Sequence, residues 1–304
     1  MTDRKELEKD FTKNGVNFAR AESFSRLTTI GTGGGADIIA RPQNVIELIK
    51  AAEISQKHGE RTLFLGGGSN VLASDDGFRG VVVSTRGVSE IYVERENGGN
   101  VFVRAFAGVT LGALSSFCVR EGIGGAEFLS GIPGTVGGAA VMNAGCFGNS
   151  VKDVLESVFV LNDGKMELFS AEECSLGYRS SAFQTNKCVV VSVLFKLKRT
   201  FAERIVKKIA IYTALRSDQP KGKSMGSVFR NGAFPAGKVI EACGLKGMRV
   251  GGAFVSEKHA NFIINDGTAS SADVRDLIRT VKTIVKERTG VTLEEEIKYV
   301  GEFK

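Results

Sequence analysis

Proline, histidine and paired cysteine are scarce or missing in this 304-residue chain. With only 4 prolines beside 38 glycines and no Gly-X-Y period, neither a collagen-like rod nor a disordered Pro/Gly tract fits. The 2 histidines, His58 and His259, are too few for a histidine-rich metal centre. The 5 cysteines (Cys118, Cys146, Cys174, Cys188, Cys243) are odd in number, scattered, and never in a C-x-x-C pair. That argues for a reducing compartment, with the cytoplasm as the expectation, and against a disulfide frame, a zinc knuckle or any bound metal. No stretch approaches the ~20 apolar residues of a membrane helix. The opening MTDRKELEKDFTKNG is charged where a signal peptide is apolar, which argues against export.

What the chain does have is the composition of an ordinary globular protein, 42% hydrophobic and 24% charged, with length for two or three compact domains. The net charge of +6 is concentrated: residues 196–258 hold 14 Lys/Arg against 4 Asp/Glu, a local +10. There is no zinc finger, aromatic RNA-binding signature or long basic helix, so no nucleic-acid partner is expected. The charges alternate with glycines and short apolar pieces, as around a pocket for an anionic small molecule.

The periodicity predicts an α+β chain. Asn44 caps a helix running to about Lys57, with Glu47 completing a capping box. Strands are expected at Thr62–Leu65 (short and buried), Val81–Thr85, Glu90–Arg95 and Val101–Phe106, the last two joined through the turn Glu96–Asn100. A helix near Leu111–Arg120 stops at Gly122, and strands return at Ser157–Leu161 and Cys188–Phe195. The last third reads as helices at Arg204–Arg216, Ala236–Cys243 and 271–289, the last capped by Ser271 and stopped by Gly290. Strands are expected at Phe262–Asn265 and Ile297–Val300. A domain boundary is expected near 200, where the hydrophobic strands give way to Lys196-Leu-Lys-Arg199.

Three glycine clusters need a reason. Gly31–Ala36 matches G-x-G-x-x-A, but Phe24–Ile30 is no buried strand and Asp37–Ala40 continues as strand, so it is no dinucleotide fingerprint. Gly66-Gly67-Gly68-Ser69-Asn70 follows a strand without opening a helix, and no G-K-[ST] follows. What remains is a nest of backbone N–H groups suited to a phosphate. Gly131-Ile-Pro-Gly-Thr-Val-Gly-Gly138, running on to Asn143-Ala144-Gly145, allows close backbone approach. Two such loops suggest one extended, pyrophosphate-containing ligand bridging two subdomains.

These pieces occur in order with others: GGGSNVL at 66–72, GIPGTVGGAAVMNAG at 131–145, YRSSAF at 178–183, GSVFRN at 226–231, SEKHANFIIN at 256–265 and LEEEIKYVG at 293–301. Together they resemble the UDP-N-acetylenolpyruvoylglucosamine reductase family over about residues 26–301. The resemblance implies bound FAD, NADPH as reducing co-substrate and UDP-N-acetylglucosamine enolpyruvate as substrate. It also implies a vanillyl-alcohol-oxidase-type FAD region of two subdomains, 1–88 and 89–199, and a C-terminal α+β substrate domain, 200–304. The last strand would return Glu296 to the active site. No insertion is evident between Tyr178 and Ser227, which points to the shorter subtype without a tyrosine loop. A monomer or weak oligomer is expected. Two departures stand out: Gly232 where the family has proline after Asn231, and Lys298 where arginine is customary.

By the same resemblance FAD would meet Gly66, Gly67, Gly68, Ser69 and Asn70 in one loop, and Gly131, Ile132, Gly134, Thr135, Gly137, Gly138, Asn143, Ala144 and Gly145 in the other. Arg179 would stabilise the enolate, Ser227 would give the proton, and Glu296 would assist, best if protonated. Periodicity alone does not separate Glu294 from Glu296, which fall on one face of an expected strand Leu293–Ile297. Substrate contacts are expected from Tyr178, Arg216, Lys223, Asn231 and His259, although a satisfied core histidine is an equal reading of the last. The alternative is a related FAD oxidoreductase with another substrate.

Overall fold

The computed structural model describes residues 4–186 and 188–303. The chain packs into two compact units that interleave along the sequence. One takes the chain up to Ala19, Ile39–Gly67 and Val81–Ser217; the other takes Arg20–Ile38, Gly68–Gly80 and the chain from Asp218 onward.

The packing therefore divides the chain elsewhere than at 88/89 and 199/200. Residues 89–199 do not form a body separate from the preceding segments. The later boundary falls after Ser217 for a local reason. The strand Val189–Arg199 runs through Lys196-Leu-Lys-Arg199, because alternation keeps Leu197 buried while Lys196 and Lys198 face water. The helix Ala202–Leu215 that follows lies against the helix Leu111–Glu121 and the turn Glu127–Leu129 of the same unit.

The first unit is built on an antiparallel sheet in the order Lys165–Ser170, Leu155–Asn162, Val189–Arg199, Asn100–Phe106, Ile91–Asn97. Its inner residues, among them Val101, Val103, Ala105, Val158, Val193 and Phe195, form one core with Leu114 and Phe117 of the helix Leu111–Glu121 and Val136 and Ala140 of the helix Val136–Val141. The Asn97–Asn100 turn has Gly98 and Gly99 at φ +57 and +75, the left-handed pair of a two-residue hairpin. Beside this sheet layer, Thr62–Leu65 pairs in parallel with Val81–Ser84, and only its Leu65 is fully buried. The helix Val45–Lys57 buries Leu48, Ala51 and Ile54. Asn44 caps it, accepting from Glu47 N at 2.9 Å, but the Glu47 carboxylate returns to Gln43 N at 2.8 Å, one residue earlier than a capping box requires.

The second unit has a four-stranded antiparallel sheet, Lys223–Ser227, Phe262–Asn265, Ala253–Val255, Arg249–Val250. The helix Ser271–Thr289 buries Val274, Leu277, Ile278, Val281 and Val285. Its cap is Ser270, not Ser271: Ser270 and Asp273 form the reciprocal capping box at 3.0 and 2.9 Å. Ser271 is fully buried and donates through Oγ to Thr32 Oγ1 at 2.7 Å, while Asp75 accepts from the Ser271 and Ala272 amides at 2.9 Å each. Gly290 stops the helix at φ +74. The first glycine cluster belongs here as a packing device, since a Cβ on Gly34 would stand 2.1 Å from Asp75 O. The expected strand Leu293–Ile297 is not one. That segment is extended but pairs only at the single bridge Phe229–Glu295, and the regular strand is Lys298–Val300, parallel to Val71–Ala73.

Candidate active site

In the first unit the strand Thr62–Leu65 delivers Gly66 and Gly67 against the other glycine loop. A Cβ on Gly66 would lie 2.5 Å from Thr135 Oγ1, and one on Gly67 would lie 2.7 Å from Gly134 Cα. The loops thus touch backbone to backbone, which only glycine permits. Arg86 fixes the approach by donating from Nε to Gly66 O at 3.1 Å and from Nη2 to Gly67 O at 2.9 Å. Sequence reasoning missed this residue, because its partners are main-chain atoms 19 and 20 positions away.

Thr135 precedes the helix Val136–Val141 without capping it. Its buried Oγ1 has no hydrogen-bond partner among the described residues. A buried hydroxyl left without a partner is costly unless a ligand or water completes it. A cradle that a Cβ would fill, with an orphaned hydroxyl in it, fits a flavin cofactor's phosphate or polar edge. Gly67→Ala forces a clash with main chain rather than with a movable side chain. The FAD content of the purified protein, read as the ratio of flavin to protein absorbance, is expected to fall about tenfold or more.

Asn143, Gly145 and Arg179 meet in the same unit. Asn143, at φ +41, spends its amide on structure: Nδ2 donates to Gly177 O at 2.8 Å and Oδ1 accepts from Lys152 N at 2.9 Å. Arg179 donates from Nη1 to Gly145 O at 3.1 Å. It sits with Tyr178 in a two-residue turn closed by Gly177 N to Ser180 O (3.0 Å) and Ser180 N to Gly177 O (3.2 Å). Its φ is +52, where glycine or asparagine is usual. Gln184, also missed from sequence, locks that turn by donating from Nε2 to Arg179 O and Val141 O, each at 3.0 Å. Tyr178 is 56% exposed, with its ring centre 5.7 Å from the Arg179 guanidinium carbon.

Arg216, expected among the substrate contacts, is in this unit as well. It donates to Phe128 O at 3.1 Å and Cys146 Sγ at 2.8 Å, beside Gly131. Ile132 and Ala144 pack on the core, and Gly137 lies where a Cβ would stand 2.8 Å from Ala107 Cβ. A Cβ on Gly138 would stand 3.7 Å from Thr135 Oγ1.

The second unit holds Gly68, Ser69, Asn70, Lys223, Ser227, Asn231, His259 and Glu296. Ser227 ends its strand opposite Phe262, after an irregularity at which Gly226 takes φ +74. That bulge re-aims the serine relative to a regular strand. One residue on, Val228 O accepts from Glu296 N at 2.8 Å, so the serine and glutamate segments run side by side. Asn70 Nδ2 donates to Glu296 O at 3.2 Å, and Lys298 N donates to Asn70 O at 2.9 Å. The GGGSN and LEEEIKYVG motifs therefore converge on the Glu296 backbone.

Burial differs along the acidic run: Glu294 is exposed, Glu295 pairs with Lys282, and Glu296 is half-buried. Lys298 titrates below an ordinary lysine, first through partial desolvation and then through the positive charge of Arg230. Asn231 Oδ1 accepts from Ala236 N at 3.0 Å. Gly232 has open space around it and no left-handed φ, so glycine is not demanded there.

His259 is half-buried. Its Nδ1 accepts from Asn261 N at 3.3 Å and its ring meets Phe262 edge-on at 5.1 Å. Asn261 went unrecognised in the sequence. It is 3% exposed and grips Phe229 from both sides, Oδ1 accepting from Phe229 N at 2.9 Å and Nδ2 donating to Phe229 O at 2.8 Å. Asn261→Ala orphans both backbone groups and is expected to cost about 2–4 kcal/mol in chemical denaturation. A loss below about 0.5 kcal/mol would remove it from the frame that holds Ser227.

Residues 36–170 match the FAD binding domain family, and the glycine loops that meet around the unsatisfied Thr135 hydroxyl lie inside that match. The chain is an FAD-containing oxidoreductase. Residues 218–300 match the C-terminal domain of UDP-N-acetylenolpyruvoylglucosamine reductase. The chain is 41% identical over 285 residues to the UDP-N-acetylenolpyruvoylglucosamine reductase of Syntrophus aciditrophicus, covering 92% of this chain and 91% of that one. It is 40% identical over 305 residues to that of Carboxydothermus hydrogenoformans, covering 99% and 100%. The crystal structure of the Thermus caldophilus reductase superposes with a TM-score of 0.78 at 34% identity, over 94% of this chain and 99% of that one. The chain belongs to the UDP-N-acetylenolpyruvoylglucosamine reductase family.

Proposed function

We propose that the chain reduces UDP-N-acetylglucosamine enolpyruvate to UDP-N-acetylmuramate, with NADPH as reductant, in the synthesis of peptidoglycan precursors. The observation that carries the reading is the pairing of the Ser227 and Glu296 segments, with Asn70 of the glycine loop holding the Glu296 carbonyl. Gly66, Gly67, Gly134 and Thr135 would hold FAD. When bound, FAD supplies hydride, drawn from NADPH, to the terminal methylene carbon of the enolpyruvyl group.

Hydride addition there turns the methylene into a methyl group and leaves an electron pair on the neighbouring carbon, delocalised into the carboxylate. Arg179 would carry the matching positive charge, held in place by its strained turn, by Gly145 and by Gln184. Ser227 would give its hydroxyl proton to the carbanionic carbon, completing the lactyl ether. Glu296, half-buried, would assist as a protonated acid, since an ionised carboxylate beside the enolate would oppose its charge. Lys223, Asn231 and Tyr178 are proposed to bind the nucleotide sugar.

Among the described residues no helix is long and apolar enough to cross a membrane. The proposed setting is the cytoplasm, with the chain acting as a monomer or weak oligomer. Mass spectrometry of the product tests the reading: a gain of two hydrogens over the enolpyruvyl nucleotide is expected, and unchanged substrate after full NADPH addition would refute it.

A further inference from the structure

The outer face of the first unit's antiparallel sheet, opposite the helix Val136–Val141 and the glycine cradle, carries a cavity of about 590 Å³ that the proposed reaction does not use. Register builds its floor. Arg104 pairs across to Leu194, Leu194 to Ser157, and Ser157 to Ser170, so four strands place these side chains in one row on the outer face. Two bulges add charge to it. The register slips between Val93 and Arg95 and between Leu155 and Ser157, which leaves Glu94 and Glu156 as the extra residues. Each slip puts two consecutive residues on the cavity side, Glu94 with Arg95 and Glu156 with Ser157.

Arg104 is anomalous. It is 4% exposed, its Nε donates to Glu94 Oε2 at 2.7 Å, and its Nη1 is shut off from solvent with no partner among the described residues. Glu94 is also shared with Arg95, at 3.0 Å. One carboxylate thus serves two guanidinium groups, and the buried one, stacked over the Phe159 ring at 4.9 Å, keeps one nitrogen that a ligand or water would have to satisfy. The opposite sign gathers nearer the rim. Glu156 approaches a cation only at 3.9 Å, and Glu173 accepts from a main-chain amide, Ser170 N, at 2.7 Å. Leu168 and Leu194 add apolar surface to the lining, and the Phe159 ring lies under the Arg104 guanidinium.

A cationic floor, an acidic rim and an apolar lining match a small zwitterion. We propose that this cavity binds a free α-amino acid with an apolar side chain, its carboxylate on Arg104 and its ammonium on Glu156 and Glu173. A simple anion would meet three carboxylates against two guanidinium groups, which disfavours it.

The test is equilibrium dialysis of the full, FAD-loaded chain with L-leucine, leucinamide (no carboxylate) and 4-methylpentanoate (no ammonium). Saturable leucine binding in the millimolar range or tighter is expected, with both analogues at least about tenfold weaker. Arg104→Gln and, at the exposed rim, Leu168→Trp are each expected to weaken leucine binding by a similar factor. Bleaching of the flavin by NADPH should be unchanged in both. No saturable binding would overturn the proposal, as would binding that ignores the Leu168→Trp block. Equal binding of 4-methylpentanoate would overturn the zwitterion assignment.

Discussion

Ser227→Ala is expected to leave the first half of the reaction intact and to cripple the second. NADPH should still bleach the flavin at close to the wild-type rate, because the serine has no part in that hydride step. Return of colour on adding the enolpyruvyl nucleotide should slow by about 10²–10⁴-fold, the usual worth of a positioned proton donor. The geometry behind this is local: Gly226 bulges the strand, Ser227 closes it, and the Val228 carbonyl is tied to the Glu296 amide. Anaerobic stopped-flow absorbance separates the halves. Recolouring at the wild-type rate would remove Ser227 from the proton path.

Arg179→Gly sets stability against activity. A non-glycine residue at φ +52 carries roughly 1–2 kcal/mol of backbone strain that glycine does not. Glycine forfeits the bond to Gly145 O and is more flexible when unfolded, so net stability should stay within about 1 kcal/mol of wild type. Turnover should nevertheless fall about 10²–10³-fold, as when one charge-stabilising donor is removed from a reacting oxyanion. Denaturant melts and steady-state kinetics on one preparation decide it. Full activity in the glycine variant would mean that the strain serves the loop and not the chemistry.

Much of the fold was legible where the cause is local. Asn44 caps the helix Val45–Lys57, Gly122 ends the helix Leu111–Glu121 at φ +63, and Gly98-Gly99 turns the hairpin, each by the conformational preference of one or two residues. The errors share a different origin. Lys196–Arg199 looks like the end of a strand because its lysines are charged, yet alternation continues through Leu197. Leu293–Ile297 alternates like a strand but makes only one bridge, a matter of distant partners. Ser270 and Ser271 are equivalent in sequence; only Asp75 and Thr32, 196 and 239 positions away, assign one to the cap and the other to the core.

The candidate site divides in the same manner. The glycines of both loops, Ser227 and Glu296 are proposed from motif and resemblance. Arg86, Gln184 and Asn261 were not, since each is a polar side chain bound to remote main-chain atoms, a pairing that no local pattern records. Asn143 marks the converse: it stood inside a ligand-friendly motif, while its amide is engaged by Gly177 and Lys152. Arg216 stood in the basic stretch of residues 196–258 yet packs beside Gly131 and Cys146 of the first unit.

An anaerobic titration followed in the visible spectrum tests the central claim most directly. The purified chain should show an oxidised flavin band that NADPH bleaches and that UDP-N-acetylglucosamine enolpyruvate restores. A band that bleaches and stays bleached after the nucleotide is added would contradict the proposed substrate, and a chain that remains colourless after FAD is supplied would contradict the cofactor cradle itself.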